Sequence, residues 1–365
     1  MEHLIPDAPF VAMPAIMLVM ILAAGIYFLI KGADWLVEGA SGIALRMGIS
    51  KIVIGATVVS LGTTSPEAAV SVMAAFSGNA GLALGNAVGS IIADTGLIFG
   101  IGCLMATLPA DRFVLSRQGW VQRGSGVLLA AMCYGVWLIA GDDAALGRPV
   151  GFVLLALLAA YMYFSVRWSR EHPEGEPFQT PDDMAGTAPM TGSIDVHALR
   201  SLPMLIGLGL VGLVLVLLSS RFVIGSVTVL ADRAGVPQVV VASTIVALGT
   251  SLPELVVGIT AVLKGHRELL VGNVIGADVL NVLFVVGASA AAANLPIIDH
   301  KATNPHIFLM LQLPTMLVIL VLFRVFIFQT RRTGEFRRWM GVPLLAIYAL
   351  FLLLNVLMSG SLPTH

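Results

Sequence analysis

The chain contains the same segment twice, in one register. VSLGTTSPEAAV surrounds Glu67 and VALGTSLPELVV surrounds Glu254, an offset of 254 − 67 = 187 residues. The same offset carries Gly85-Asn86 onto Gly272-Asn273, Gly89 onto Gly276 and Gly100 onto Gly287, and also Gly48 onto Gly235 and Gly78 onto Gly265. Chance similarity between apolar segments would not keep Gly, Asn, Pro and Glu in step without an insertion. The fold is therefore expected to be one unit used twice.

That unit is built for lipid. Of the 365 residues 58% are hydrophobic and only 11% charged, with a mean hydropathy of +0.95, too few charges to clothe a soluble domain of this length. Apolar runs of about 20 residues, the length that crosses a bilayer core as a helix, recur throughout. Ten spans are expected, near 13–45, 51–76, 79–107, 125–140, 149–167, 202–231, 238–263, 268–293, 306–329 and 341–358. The fold class is thus an all-α membrane protein of ten transmembrane helices, with a first five-helix unit over 1–168, a linker over 169–200 and a second unit over 201–365. The linker carries Glu171, Glu174, Glu176, Asp182, Asp183 and several prolines, has no apolar period and reads as solvated.

Lys and Arg set the orientation. With the amino terminus outside, the inside loops hold fourteen of these residues, among them Arg117, Arg123, Arg331 and Arg337, and the outside loops only Arg148, Arg233 and Lys301. The linker is then cytoplasmic and the tail SGSLPTH outside. No Lys or Arg precedes the first span, so that span is read as retained rather than as a cleaved leader. Cys103 and Cys133 lie in apolar runs and read as buried structural thiols. A net charge of −1 suggests no nucleic-acid partner, and nothing in the sequence marks an obligate protein partner.

Five spans per unit is an odd number, so the second unit is expected upside down relative to the first. Inverted repeats place a substrate site at the bilayer midplane on interrupted helices. Pro66 and Pro253 supply the interruptions, since each lacks the N–H that would satisfy a carbonyl one turn earlier, near Gly62 and Gly249.

Glu67 and Glu254 follow those prolines inside apolar spans. A carboxylate at such a depth costs roughly 2.5–3.5 kcal/mol on insertion scales for Asp, and no Lys or Arg lies at comparable depth in those helices. A bound cation compensates them; a protonated, hydrogen-bonded glutamate would not account for the duplication. Ser60, Thr63, Thr64 and Glu67 share a helix face through i+3 and i+4 steps, as do Ala247, Thr250, Ser251 and Glu254. Ser90 and Asp94 lie four apart on the next helix, as do their counterparts Ala277 and Asn281, and Asp278 is a further intramembrane acid. Carboxylate, hydroxyl and carbonyl oxygens are ligands for hard cations such as Ca²⁺. All seven histidines fall in loops, linker, tails or a span end, against a soft-metal site. The G-x-x-x-G spacings at Gly85/Gly89 and Gly272/Gly276 read as helix packing. Asn86 and Asn273 are open between cross-helix bonding and ion contact, and Asp34 and Glu38 read as a local ion pair with Lys31. No His, Lys or nucleophile accompanies the acids, which argues against an enzyme, and nothing suggests the oligomer of a passive channel. No cofactor is expected beyond transported ions.

The duplicated G-T-[ST]-x-P-E, followed by G-N-x-x-G-[SA], resembles the alpha repeats of the cation/Ca²⁺ antiporter superfamily, specifically the sodium/calcium exchanger family. The resemblance covers both halves. It implies a ten-helix inverted-repeat fold, ion sites around two glutamates, and exchange of Na⁺ for Ca²⁺ by alternating access, with the two long helices sliding over the other eight. It further implies that Glu67 and Glu254 are the central Ca²⁺ ligands, with Thr63 and Thr250 as partners, that Thr64, Ser251, Ser60 and Ala247 occupy Na⁺-site positions, and that Asp94 and Asn281 match a pair that is commonly Asn in the first half and Asp in the second. The sequence departs from the family at GTTSPE, at Ile91 where Asn is common, at Ala277 where a Na⁺-ligating Ser is usual, and at Asp278 where Asn is common. The missing hydroxyl and the added acid keep a H⁺/Ca²⁺ antiporter open beside the Na⁺/Ca²⁺ reading. A prokaryotic-type plasma membrane is the expected location.

Overall fold

The fold is that of a computed structural model, which describes residues 8–48, 50–78, 80–171, 201–234, 247–300 and 304–358. The expected linker beyond residue 171, the start of the seventh expected span and the carboxyl tail lie outside the described residues.

The chain is an all-helical membrane protein. After a short α1 (Ala8–Val11), α2 (Ala15–Met47) opens the first half. It is followed by α3 (Lys51–Thr63), α4 (Ser65–Phe76), α5 (Gly81–Met105), α6 (Arg112–Ala140) and α7 (Arg148–Glu171). The second half holds α8 (Leu202–Arg233), α9 (Ala247–Thr250), α10 (Leu252–Leu263), α11 (Arg267–Ala292), α12 (Phe308–Arg331) and α13 (Gly341–Met358). Eight helices among the described residues are long and apolar enough to cross a membrane, and α3 and α10 are shorter apolar helices. The 187-residue register survives folding: α4 maps onto α10 end for end, and the wide π-turn at Asp94–Ile98 in α5 recurs at Asn281–Val286 in α11.

The fourth expected span, 125–140, is corrected to Arg112–Ala140. Arg112, Arg117, Gln118, Gln122 and Arg123 hid the first half of this helix from a hydropathy reading. Gln118 and Gln122, one turn apart, are buried at 0% and 2% exposure, where other buried polar groups satisfy them.

The two halves interlock. α2 and α8 run along each other at close range: a Cβ on Gly39 would stand 2.7 Å from Gly209 N, and one on Gly32 2.8 Å from Val216 N. Small residues permit this backbone approach, which in lipid is a main source of helix association. α11 is the most enclosed helix, wedged against α3, where a Cβ on Gly55 would stand 2.8 Å from Leu269 O. Two short antiparallel strand pairs cross between the halves. β1 (Leu108–Pro109) pairs with β4 (Glu335–Phe336), and β2 (Ala145–Leu146) pairs with β3 (Leu295–Pro296). Beside the first pair, Phe99 meets Phe323 and Phe336 edge to face, with centroids 4.7 and 5.0 Å apart.

Candidate cation site

Both prolines act at the start of a helix. Pro66 stands in the first turn of α4 and Pro253 in the first turn of α10, where a missing N–H costs nothing. The chain therefore breaks at Thr64 and Ser251, and Glu67 and Glu254 fall in the first turns of the new helices. A helix N-terminus favours negative charge. Both glutamates are 1% exposed.

The elements bring most of the sequence-predicted residues together. Thr64 Oγ1 donates to Glu254 Oε1 at 3.3 Å, joining the break in one half to the acid of the other. Ser251 Oγ donates to Ser90 Oγ at 3.4 Å, again between halves. Thr63 Oγ1 donates to the Ser60 carbonyl at 3.3 Å, and Ser60 Oγ to the Thr57 carbonyl at 3.4 Å. Thr250 Oγ1 donates to Asn86 Oδ1 at 3.3 Å, and Asn86 Nδ2 donates to Ser71 Oγ at 3.0 Å and the Glu67 carbonyl at 3.5 Å. Asn86 thus bonds across helices. Ala247 begins α9, and its side chain lies outside the described residues.

Asp94 and Asn281 bond each other, Asn281 Nδ2 donating to Asp94 Oδ2 at 3.4 Å. Asp278 is held apart from this chain of contacts. Its Oδ2 accepts from Thr95 Oγ1 and from Gln122 Nε2, each at 2.5 Å. A turn along α6, Gln118 Nε2 donates to Ser165 Oγ at 2.5 Å and Gln118 Oε1 accepts from Tyr161 at 2.7 Å. Thr95, Gln118 and Gln122 did not emerge from the repeat because their positions in the other half are Val282, Pro305 and Leu309, whereas Tyr161 is matched by Tyr348 and its duplication went unread. The available signal was the pair of glutamines i,i+4 in an otherwise apolar helix.

The four acids share one electrostatic neighbourhood: the charges of Glu254 and Asp94 act on Glu67, and those of Glu254 and Asp278 act on Asp94. No Lys, Arg or His bonds any of them among the described residues. On these four acids and Asn281, five buried oxygens have no hydrogen-bond partner among the described residues: Glu67 Oε2, Glu254 Oε2, Asp94 Oδ1, Asp278 Oδ1 and Asn281 Oδ1; the amide of Asn273 is likewise without one. An unsatisfied buried group costs about 1–3 kcal/mol, more when charged. Acceptors without donors, at four acids without a basic partner, fit a cation. Among the described residues no three acidic, histidine or cysteine side chains form a cage by themselves, so hydroxyl, amide and backbone oxygens would complete any coordination shell. Asp34 lies 4.0 Å from Lys31 and 3.3 Å from Lys264, the C-cap residue of α10, so the expected pairing with Lys31 extends to the second half.

Comparison with known proteins agrees. The family model described as "Sodium/calcium exchanger protein" matches residues 17–167 and 204–357. The chain is 28% identical over 353 residues to the sodium/calcium exchanger MaX1 of Methanosarcina acetivorans, covering 91% of this chain and 97% of that protein. It is 32% identical over 271 residues to the inner membrane protein YrbG of Escherichia coli, covering 74% and 78%. Its fold matches a structure of the sodium-calcium exchanger NCX_Mj with a TM-score of 0.72 at 25% identity, covering 92% of this chain and 98% of that one. The chain belongs to the sodium/calcium exchanger protein family.

Proposed function

We propose that the protein is a Na⁺/Ca²⁺ antiporter working by alternating access, with ten transmembrane helices in two inverted five-helix repeats. The observation that carries this reading is the pair Glu67 and Glu254, each buried at a helix break and each with one oxygen lacking a donor. Two carboxylates can be neutralised by one divalent ion or by monovalent ions, so the two cargoes compete for the same oxygens. In this reading Glu67 and Glu254 bind Ca²⁺, with Thr63 and Thr250 at their sides. Ser60, Thr64, Ala247 through its backbone, Ser251, Ser90, Asp94 and Asn281 complete the shells, as hydroxyl, amide and carbonyl oxygens suit Na⁺ and Ca²⁺. The α2–α8 pair, packed through glycines, is the element that slides. α4 with α3, and α10 with α9, belong to the two broken spans that bring eight to ten. The location is a plasma membrane, with the segment between α7 and α8 in the cytoplasm.

Exchange of H⁺ for Ca²⁺ is the second reading, and Asp278 favours it: an acid where the family commonly has Asn, beside Ala277, which lacks the hydroxyl a Na⁺ would use. The discriminating measurement is ⁴⁵Ca²⁺ uptake into proteoliposomes loaded with Na⁺, against K⁺-loaded and pH-gradient controls. Uptake driven by the Na⁺ gradient alone is expected. Uptake driven by the pH gradient and indifferent to Na⁺ would replace the first reading with the second.

A further inference from the structure

Arginine has no deprotonated refuge at neutral pH, so an arginine within a membrane helix must find an anion or reach water. Arg324 lies in α12, seven residues before Arg331, or roughly 10 Å deeper along the helix. One of its guanidinium nitrogens, Nη1, is buried without a hydrogen-bond partner. The charges acting on it are those of Arg331 and Arg123, both positive. Arg123 and Arg324 flank the Trp120 ring, at 4.2 and 4.5 Å from its centroid, and join α6 to α12 through an indole that is 51% exposed. Cation–π contact offsets part of the charge but leaves the N–H groups unsatisfied. Arg331 covers the Phe328 ring at 5.2 Å, and Phe328 also walls a cavity of about 410 Å³ together with Gln329, Thr333, Arg337 and Trp339. Among the described residues none of Arg123, Arg324 or Arg331 has an acidic partner.

Three arginines, an interfacial tryptophan, a desolvated donor and a cavity that mixes Arg337, Gln329 and Thr333 with aromatic walls lack only the anion. The bilayer supplies it. We propose that the α6–α12 face binds the phosphate of an anionic phospholipid, with Arg324 and Arg123 as its ligands, Arg331 in support, and the cavity beside Phe328 receiving the headgroup. Planar guanidinium groups hold phosphate oxygens in pairs, and basic recesses between membrane helices recognise anionic headgroups.

Native mass spectrometry of the purified full chain tests this, with phosphatidylglycerol or phosphatidylcholine added. The wild type is expected to retain phosphatidylglycerol in preference to phosphatidylcholine. Arg324→Gln should lower phosphatidylglycerol retention roughly fivefold, the attraction of one arginine for an anionic surface, and Arg324→Lys should recover part of it. If Arg324→Gln fails to fold, Arg123→Gln gives the same reading. Equal retention of the two lipids, or unchanged phosphatidylglycerol retention in both glutamine variants, would overturn the proposal. Displacement of the lipid by millimolar inorganic phosphate would overturn it too, since the ligand would then be free phosphate.

Discussion

Asp94 and Asn281 occupy the same position in the two halves of the chain, 187 residues apart, and bond each other at 3.4 Å. It is a direct contact between equivalent positions of the two halves, and the charges of Glu254 and Asp278 act on Asp94. One member is an acid and the other an amide, so the contact carries one carboxylate where perfect duplication would give two or none.

Exchanging that pair tests whether position or count matters. Asp94→Asn alone should weaken Na⁺-driven ⁴⁵Ca²⁺ uptake, because an acceptor for cations is lost. Asp94→Asn with Asn281→Asp restores the count, and uptake should return most of the way. Coupled neighbours are expected to be non-additive in such a cycle, and a double variant as poor as the sum of the two singles would contradict a shared role.

Neutralising either central glutamate should abolish transport without unfolding the protein. Glu67→Gln and Glu254→Gln preserve volume and remove the charge that a cation would balance. Uptake is expected to fall to background in proteoliposomes while the helical circular dichroism and detergent-solution Tm hold or rise. Substantial uptake in either variant would contradict their roles.

Ala277 is buried at 0% exposure beside Gly276, whose own Cβ would crowd Ser60. Ala277→Ser places a hydroxyl where the family usually has one. The expected outcome is a steeper dependence of Ca²⁺ uptake on internal Na⁺. A curve superimposable on the wild type would mean that this position supplies no Na⁺ ligand.

Gln122 reads as a support for Asp278. Gln122→Ala removes a donor from a buried carboxylate and should destabilise the protein by about 1–3 kcal/mol, the cost of an unmet buried hydrogen bond. Thermal unfolding in detergent measures it. An unchanged Tm would show that Asp278 draws nothing from α6.

The close α2–α8 approach gives a steric test. Gly39→Leu would push a side chain into Gly209, whose backbone nitrogen would lie 2.7 Å from the new Cβ. Overpacking of this type costs about 1–3 kcal/mol. Uptake should fall more than stability does if these helices slide, and Gly207→Leu, with nothing within 4 Å of its Cβ, is the control.

The sequence by itself determined that the chain is a helical membrane protein, that one segment is used twice, and that Glu67 and Glu254 are acids set in apolar spans just after a proline. Apolar run length, a constant offset and the Pro-Glu steps are local properties, written one residue after another. It did not show that α6 begins at Arg112, because hydropathy counts Gln118 and Gln122 as polar regardless of what buries them. Nor did it show that Asp278 turns to Thr95 and Gln122 while its neighbour in sequence, Ala277, packs without a polar contact. Those outcomes depend on which side chains from distant helices meet in the same low-dielectric interior, where a hydrogen bond between residues 156 positions apart decides where a carboxylate points. Only the packed structure contains that information.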